Sequence, residues 1–269
     1  LRLLTLNVHA WQEEHQLDKI NTLAKVIHEN RYDVIALQEV SQLYNEPIEY
    51  DHIRADNYGL LVQKELEKLG SNDYTLYWDV SHYGYDIYEE GLALLVRHPA
   101  INVESFYISA SQDIDFWKSR KIVGGTFDIK GERVALYSCH LGWWNDEEES
   151  YTSQVDRLLN KADEHDSFIL MGDFNSASIV KGEGYEYLLK SGLYDTHTLA
   201  HTKSGQNTIE GTIAGWDQNS SGLKIDYILT NWGAHVTASR VIFDGENKPV
   251  ISDHYGLDVD LRLSNNKQK

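Results

Sequence analysis

Four short stretches carry residue types that together can cut a phosphate ester: Asn7, Gln38-Glu39, Gly172-Asp173-Phe174-Asn175 and Ser252-Asp253-His254. Carboxylate and amide oxygens hold a hard divalent cation, and a histidine moves a proton. Each stretch follows or interrupts an apolar, strand-like run. Strand ends are where a rigid scaffold can hold side chains in a fixed constellation. The inventory is that of a metal-dependent phosphoesterase.

Taken one at a time, the residues leave alternatives open. Asn7 closes an apolar run, where asparagine is also a common turn former. Glu39 follows Val34-Ile35-Ala36-Leu37-Gln38, so its burial costs desolvation unless a metal or an arginine meets it. Asp173 and Asn175 can face one side of a strand or make an Asx turn. Asp226 interrupts an apolar run, a position suited to orienting an imidazole. Two histidine–carboxylate pairs are expected, His254 with Asp226 and His140 with Glu90, as general base and general acid. His9, His82 and His98 read as surface or structural histidines, and Cys139 as a buried thiol rather than a nucleophile.

The elements that must position these residues show in the apolar pattern. The run over 1–8 reads as a buried strand. Leu17, Ile20, Leu23, Ala24 and Ile27 at helical spacing predict a helix over 16–29, and 33–38 is a second strand. Strand, helix, strand implies a right-handed crossover in a layered α/β fold. Further helices are expected over 57–69, 151–163 and 184–190. Strands are expected over 74–79, 91–96, 101–108, 121–129, 133–139, 167–171, 224–229, 236–243 and 255–263, with Lys130-Gly131 as a hairpin turn. Two packed sheets flanked by helices fit this order. No linker, repeat or low-complexity tract interrupts it, so one domain is expected over 1–263, with a polar tail over 264–269.

Bulk properties bound the substrate. The chain has 269 residues, 41% hydrophobic and 25% charged, within the range of globular proteins. Its 42 acidic residues outnumber 24 basic ones, for a net charge of −18. A binder of nucleic-acid backbones normally shows the reverse, because cationic side chains must replace condensed counterions. The field should repel long polyanions and anionic membranes, and a small phosphorylated substrate far less. One cysteine excludes an intramolecular disulfide and suits a reducing compartment. No apolar stretch approaches the roughly 20 residues of a membrane span, and no signal pattern opens the chain. A cytoplasmic location is expected, with secretion left open because the chain starts inside its first strand.

In order, the motifs read N-x-H, QE, EG, SR, H, GDFN, DY and SDH. Over nearly the whole chain they resemble the endonuclease/exonuclease/phosphatase superfamily, which includes deoxyribonuclease I, apurinic endonucleases, neutral sphingomyelinases and inositol-polyphosphate phosphatases. The resemblance implies a deoxyribonuclease I-like fold: a four-layer α-β-β-α sandwich of two mainly antiparallel sheets flanked by helices, with the site at one edge. It implies magnesium or manganese held by Asn7 and Glu39, with Asp253 assisting. Asp173 and Asn175 would orient water and bind phosphate, His254 would be held by Asp226, and His140 by Glu90. Arg120 would contact the phosphate. The stretches over 83–91 and 212–216 resemble the branch that includes maltose 6'-phosphate phosphatase.

Aromatic faces in polar loops make platforms for sugar rings. Trp11, Trp117, Trp143, Trp144 and Trp216 lie beside the catalytic stretches, and Asp86 or Asp217 could accept sugar hydroxyls. Trp143, Trp144 and Trp216 are the expected substrate contacts. The favoured reading is a phosphomonoesterase acting on a phosphorylated sugar such as a maltose 6'-phosphate-like disaccharide. A phosphodiesterase, nuclease or sphingomyelinase-like, is the alternative, and a non-catalytic binding module the second. Neither nucleic acid nor membrane is favoured as partner, and the oligomeric state is left open.

Overall fold

The computed structural model describes residues 1–263; the expected polar tail over 264–269 lies outside the described residues. In chain order the elements are β1 (Arg2–Asn7), α1 (Gln16–Asn30), β2 (Val34–Leu43), β3 (Ile48–Tyr50), β4 (Ile53–Arg54), α2 (Tyr58–Lys68), β5 (Thr75–Gly84), β6 (Tyr88–Val96), β7 (Ala100–Tyr107) and β8 (Lys121–Ile129). There follow β9 (Glu132–His140), α3 (Tyr151–Ala162), β10 (Phe168–Asp173), α4 (Gly184–Lys190), β11 (Tyr194–Asp195), α5 (Thr196–Leu199), β12 (Thr202–Ser204), β13 (Asp226–Thr230), β14 (His235–Ile242) and β15 (Gly256–Arg262).

A seven-stranded sheet runs β12-β14-β15-β1-β2-β6-β5, and a six-stranded sheet runs β11-β13-β10-β9-β8-β7. Period-two alternation splits the central strands between two cores. On β1, Leu4 and Leu6 pack with Ile20, Leu23 and Ile27 of α1, whereas Leu3 turns to the space between the sheets. On β10, Ile169 and Met171 enter that same inter-sheet core, and Phe168 and Leu170 pack under α3 with Val155 and Leu158. The result is the expected four-layer α-β-β-α sandwich, with one apolar core between the sheets and one under each helical layer.

The principal helices and the eleven expected strands form where the apolar pattern places them, with ends shifted by a few residues. Apolar periodicity misses β3, β4, β11 and β12, because segments of two or three residues carry no period. Strands β5 and β6 also run further than their apolar cores, to Gly84 and from Tyr88. Their polar ends, Ser81-His82-Tyr83 and Glu89-Glu90, pair across the hairpin at the pocket wall.

Candidate active site

The same alternation explains why the polar strand ends meet. Asn7 shares the parity of Leu3, Asp173 that of Ile169 and Met171, Asp226 that of Ile228, and His140 that of Val134 and Leu136, all inter-sheet residues. Strands β1 and β2 are parallel, as are β9 and β10, so their carboxyl ends fall on one edge. Asn7 lies opposite Gln38, and Asp173 lies between His140 on one side and Asp226 on the other. Gly172 lets β9 and β10 approach, since a Cβ there would stand 1.9 Å from the Cys139 carbonyl oxygen.

Glu39 arrives by a different device. Leu37 pairs with Ala93 but Val40 with Gly91, so β2 holds one extra residue and Glu39 takes φ 52°. Without this bulge Glu39 would follow Ile35 and Leu37 toward the helices; the bulge turns it to the site. Beneath it, Gln38 Nε2 donates to Ser138 Oγ at 3.1 Å and Ser138 Oγ donates to the Leu37 carbonyl at 3.0 Å, tying the two sheets together.

Asp173 is the hub. Its Oδ1 accepts the Asn175 backbone N–H at 2.9 Å, and its Oδ2 accepts Asn7 Nδ2 at 3.2 Å. The same Oδ2 lies 3.6 Å from His140 Nε2 and 3.7 Å from His254 Nε2. Burial, and then the charge of Asp226, raises the Asp173 pKa despite His254. His254 Nδ1 lies 3.0 Å from Asp226 Oδ2, joining the pair expected from sequence. Burial opposes the imidazolium, but Asp226 and Asp173 outweigh it and push the His254 pKa up to about 10.

The second expected pair does not form. Glu90 Oε1 meets His82 Nε2 at 3.3 Å, and His82 Nδ1 lies 3.0 Å from the Ser119 carbonyl oxygen. His140 instead faces Asp173, and burial together with the Arg120 and His254 charges lowers its pKa well below the imidazole range. The reason is register: β5 and β6 are neighbours in one sheet and set His82 against Glu90, whereas His140 is on the other sheet. His82 is thus a buried wall residue of the pocket, and the hint in the sequence was its polar stretch beside Glu89-Glu90.

The pocket over these groups has a volume of about 600 Å³, and its outer wall includes Tyr85, Asp86, Asp115, Trp117, Trp143 and Asp217. Arg120 is 4% exposed, lines the floor and lies 5.6 Å from the Trp143 ring. Its Nε is buried with no hydrogen-bond partner among the described residues, which suits an anion from solution. Trp117 lies 6.0 Å from Trp143, ring centre to ring centre. Trp144 does not line this pocket: it packs on Tyr151 and Tyr187 under the outer helices, because neighbouring residues of the loop turn opposite ways. Trp11 likewise packs on the α1–α2 core. Trp216 reaches the site from behind, donating from Nε1 to Asn175 Oδ1 at 3.1 Å.

Beside the hub lie Asn7, Glu39 and Asp253; the two carboxylates bear oxygens, whereas Asn7 turns its amide nitrogen toward Glu39 and Asp173. Asn7 Nδ2 donates to Glu39 Oε1 at 2.8 Å, and Asn7 Oδ1 accepts the His9 N–H at 3.1 Å. Burial, then Glu90 and Asp253, raises the Glu39 pKa, the signature of clustered carboxylates short of positive charge. Among the described residues, Asp173, Asp226 and His254 form one cluster with metal-ligand spacing and His9, Glu13 and Asp253 another. Their carboxylate oxygens suit a hard divalent cation, although neither cluster includes Glu39. Glu13 is already paired with Lys19 and with His9.

Residues 5–254 match the model of the Endonuclease/Exonuclease/phosphatase family. Among solved structures, an endonuclease/exonuclease/phosphatase family protein from Leptotrichia buccalis C-1013-b is 39% identical with a TM-score of 0.92, covering 98% of this chain and 100% of that one. The Bacteroides thetaiotaomicron mannosyl-6-phosphatase Bt3783 is 17% identical with a TM-score of 0.73 over 98% of this chain and 100% of its own. Truncated Caenorhabditis elegans TDP2 is 16% identical with a TM-score of 0.68 over 98% and 97%. No curated protein matches the chain.

Proposed function

The chain belongs to the endonuclease/exonuclease/phosphatase family of phosphate-ester hydrolases, and from that premise we propose that it is a divalent-metal-dependent phosphomonoesterase of a phosphorylated sugar. We read it as one domain over 1–263 working in the cytoplasm. A disaccharide phosphate of the maltose 6'-phosphate kind is the favoured substrate. The carrying observation is the lining of the pocket: one arginine, Arg120, against Glu39, Asp86, Glu90, Asp115, Asp173 and Asp217, with an indole shelf beside them. That surface holds one phosphate and offers aromatic faces and hydroxyl acceptors to a sugar, but repels the next phosphate of a polymer. The likeness to a mannosyl-6-phosphatase is in keeping with it.

Glu39 and Asp253, with Asn7 once its amide turns Oδ1 toward them, would hold magnesium or manganese, which when bound would supply a Lewis acid for a phosphoryl oxygen. Arg120, whose Nε has no partner among the described residues, would bind the phosphate. His254, cationic through its contact with Asp226, presents Nε2–H to a phosphoryl oxygen and offsets the charge gathering there. Asp173, with a raised pKa, is suited to take the proton of the attacking water. Asn175 orients that water and the phosphate. His140, held neutral, is a hydrogen-bond partner of the leaving or phosphoryl oxygen rather than a second cation. Trp143 and Trp117 form the sugar platform.

A sphingomyelinase-like reading needs an apolar loop that enters a membrane interface. In the segment Leu141-Gly142-Trp143-Trp144, Leu141 is buried, Trp143 lines the pocket and Trp144 packs inward. No helix among the described residues is long and apolar enough to cross a membrane. The test is phosphate release with magnesium or manganese from disaccharide and monosaccharide 6-phosphates, alongside plasmid DNA and sphingomyelin. Highest kcat/KM on a sugar phosphate is expected; efficient cleavage of duplex DNA would replace this reading with a nuclease.

A further inference from the structure

Asn175 is held unusually tightly. Its backbone lies in the left-handed region at φ 44°, and its N–H is given to Asp173. Its amide Nδ2 donates to the Leu141 carbonyl at 2.8 Å, and its Oδ1 accepts the indole N–H of Trp216. An acceptor at one end and a donor at the other allow only one orientation of the amide. One hydrogen of Nδ2 then stays free for the site. Leu141 follows directly on β9 and is part of the rigid sheet end, but Trp216 belongs to the long connection between β12 and β13.

That connection is also a wall of the pocket. Ala214, Gly215 and Asp217 line the cavity on either side of Trp216. Gly215, at φ 81°, lies so close to Trp143 that a Cβ would stand 2.4 Å from its ring. The indole of Trp216 is half-buried against a small separate apolar cluster of Ala177, Ile209, Ile213, Leu223 and Ile225. The loop therefore touches the sugar platform through Gly215 and the catalytic amide through Trp216.

We propose that Trp216 is a positioning residue: its indole N–H fixes the amide of Asn175 for the reaction and ties that amide to the substrate-lining loop. It does not touch the substrate itself. Its effect on turnover rests on the phosphomonoesterase reading above, but the contact can be tested without it.

Trp216→Phe keeps a ring for the apolar cluster and removes the N–H. With a sugar phosphate as substrate, kcat should fall about tenfold while KM stays within about twofold; in an Asn175→Ala background the same change should cost less than about twofold. A role in packing alone would lower the melting temperature and reduce the rate by the same factor in both backgrounds. That result, or an unchanged kcat in the single variant, would overturn the proposal. If the wild-type chain releases no phosphate from any sugar phosphate, the functional reading fails and the contact decides alone. In a ¹⁵N spectrum, Asn175→Ala should move the Trp216 indole resonance, identified by its loss in Trp216→Phe. It should also speed exchange of that proton at least about fivefold. An unmoved resonance with unchanged exchange would sink the assignment.

Discussion

His254 and His140 approach the same Asp173 oxygen at 3.7 and 3.6 Å, yet their surroundings drive them to opposite protonation states. His254 has Asp226 behind it, and its pKa rises to about 10. Among the described residues His140 is paired with no carboxylate besides Asp173; burial, Arg120 and the cationic His254 lower its pKa. The carboxylate that would have matched it, Glu90, is engaged by His82. Two imidazoles at equal distance from one acid thus become a fixed cation and a neutral hydrogen-bond partner. Environments that push paired groups apart in this way divide the roles of an acid–base site.

Several measurements would sharpen or break that contrast. The largest effect is expected outside the pair: Glu39→Gln should lower kcat/KM at least about 10³-fold and abolish binding of manganese measured by calorimetry, with the melting temperature preserved. Next, His254→Ala should cost roughly 10²–10⁴-fold in rate, and His140→Ala should sit at the lower end of that range because it removes no charge. Near-normal turnover in His254→Ala, or a larger loss in His140→Ala, would reverse the division of roles.

Asp226→Asn tests the cause of the contrast. The folded-state pKa of His254 lies above its ordinary value of 6.5. Its protonation therefore stabilises the fold fully below about pH 6.5, and that stabilisation is lost as pH rises through about 10. Removing Asp226 lowers the folded pKa, so the alkaline loss of both stability and rate should move toward neutral. Melting curves in the presence of a chelator and the basic limb of the rate profile read this out. An unmoved limb would show that Asp226 does not set the charge.

On the other side, His82→Ala should lower the rate about tenfold by freeing Glu90, a smaller effect than at His140 because His82 acts through its neighbour. Equal losses at His82 and His140 would instead mean that both reach the substrate. The smallest effect belongs to Trp144: Trp144→Phe should leave KM unchanged and cost about 1 kcal/mol of stability. Trp143→Phe, by contrast, should raise KM. A KM shift in Trp144→Phe would return that indole to the pocket.

Much of the framework was legible along the chain. Apolar runs ending in Asn7, Gln38-Glu39 and Asp173 marked strands whose ends carry polar groups, because burial forces periodicity and leaves strand ends free of it. The layered fold, and the meeting of His254 with Asp226, followed from that pattern and from the motif order. The pairing of Glu90 was not legible. A one-dimensional pattern cannot say which of two histidines lies across a hairpin and which lies across the gap between sheets. Trp143 and Trp144 were equally opaque, since adjacent indoles in a loop look alike until the loop turns one toward the pocket and the other into a core.

Composition and spacing by themselves determined the layers, the oxygen-rich strand ends and the acidic field, because these depend on hydrophobic period and residue count alone. Tertiary structure decided the rest. The bulge in β2 turned Glu39 to the site, the parallel pairing of β9 with β10 put His140 beside Asp173, and the loop before β13 brought Trp216 onto Asn175. Those contacts join residues tens of positions apart, and only strand pairing and the closure of the two sheets on each other set the distances between them.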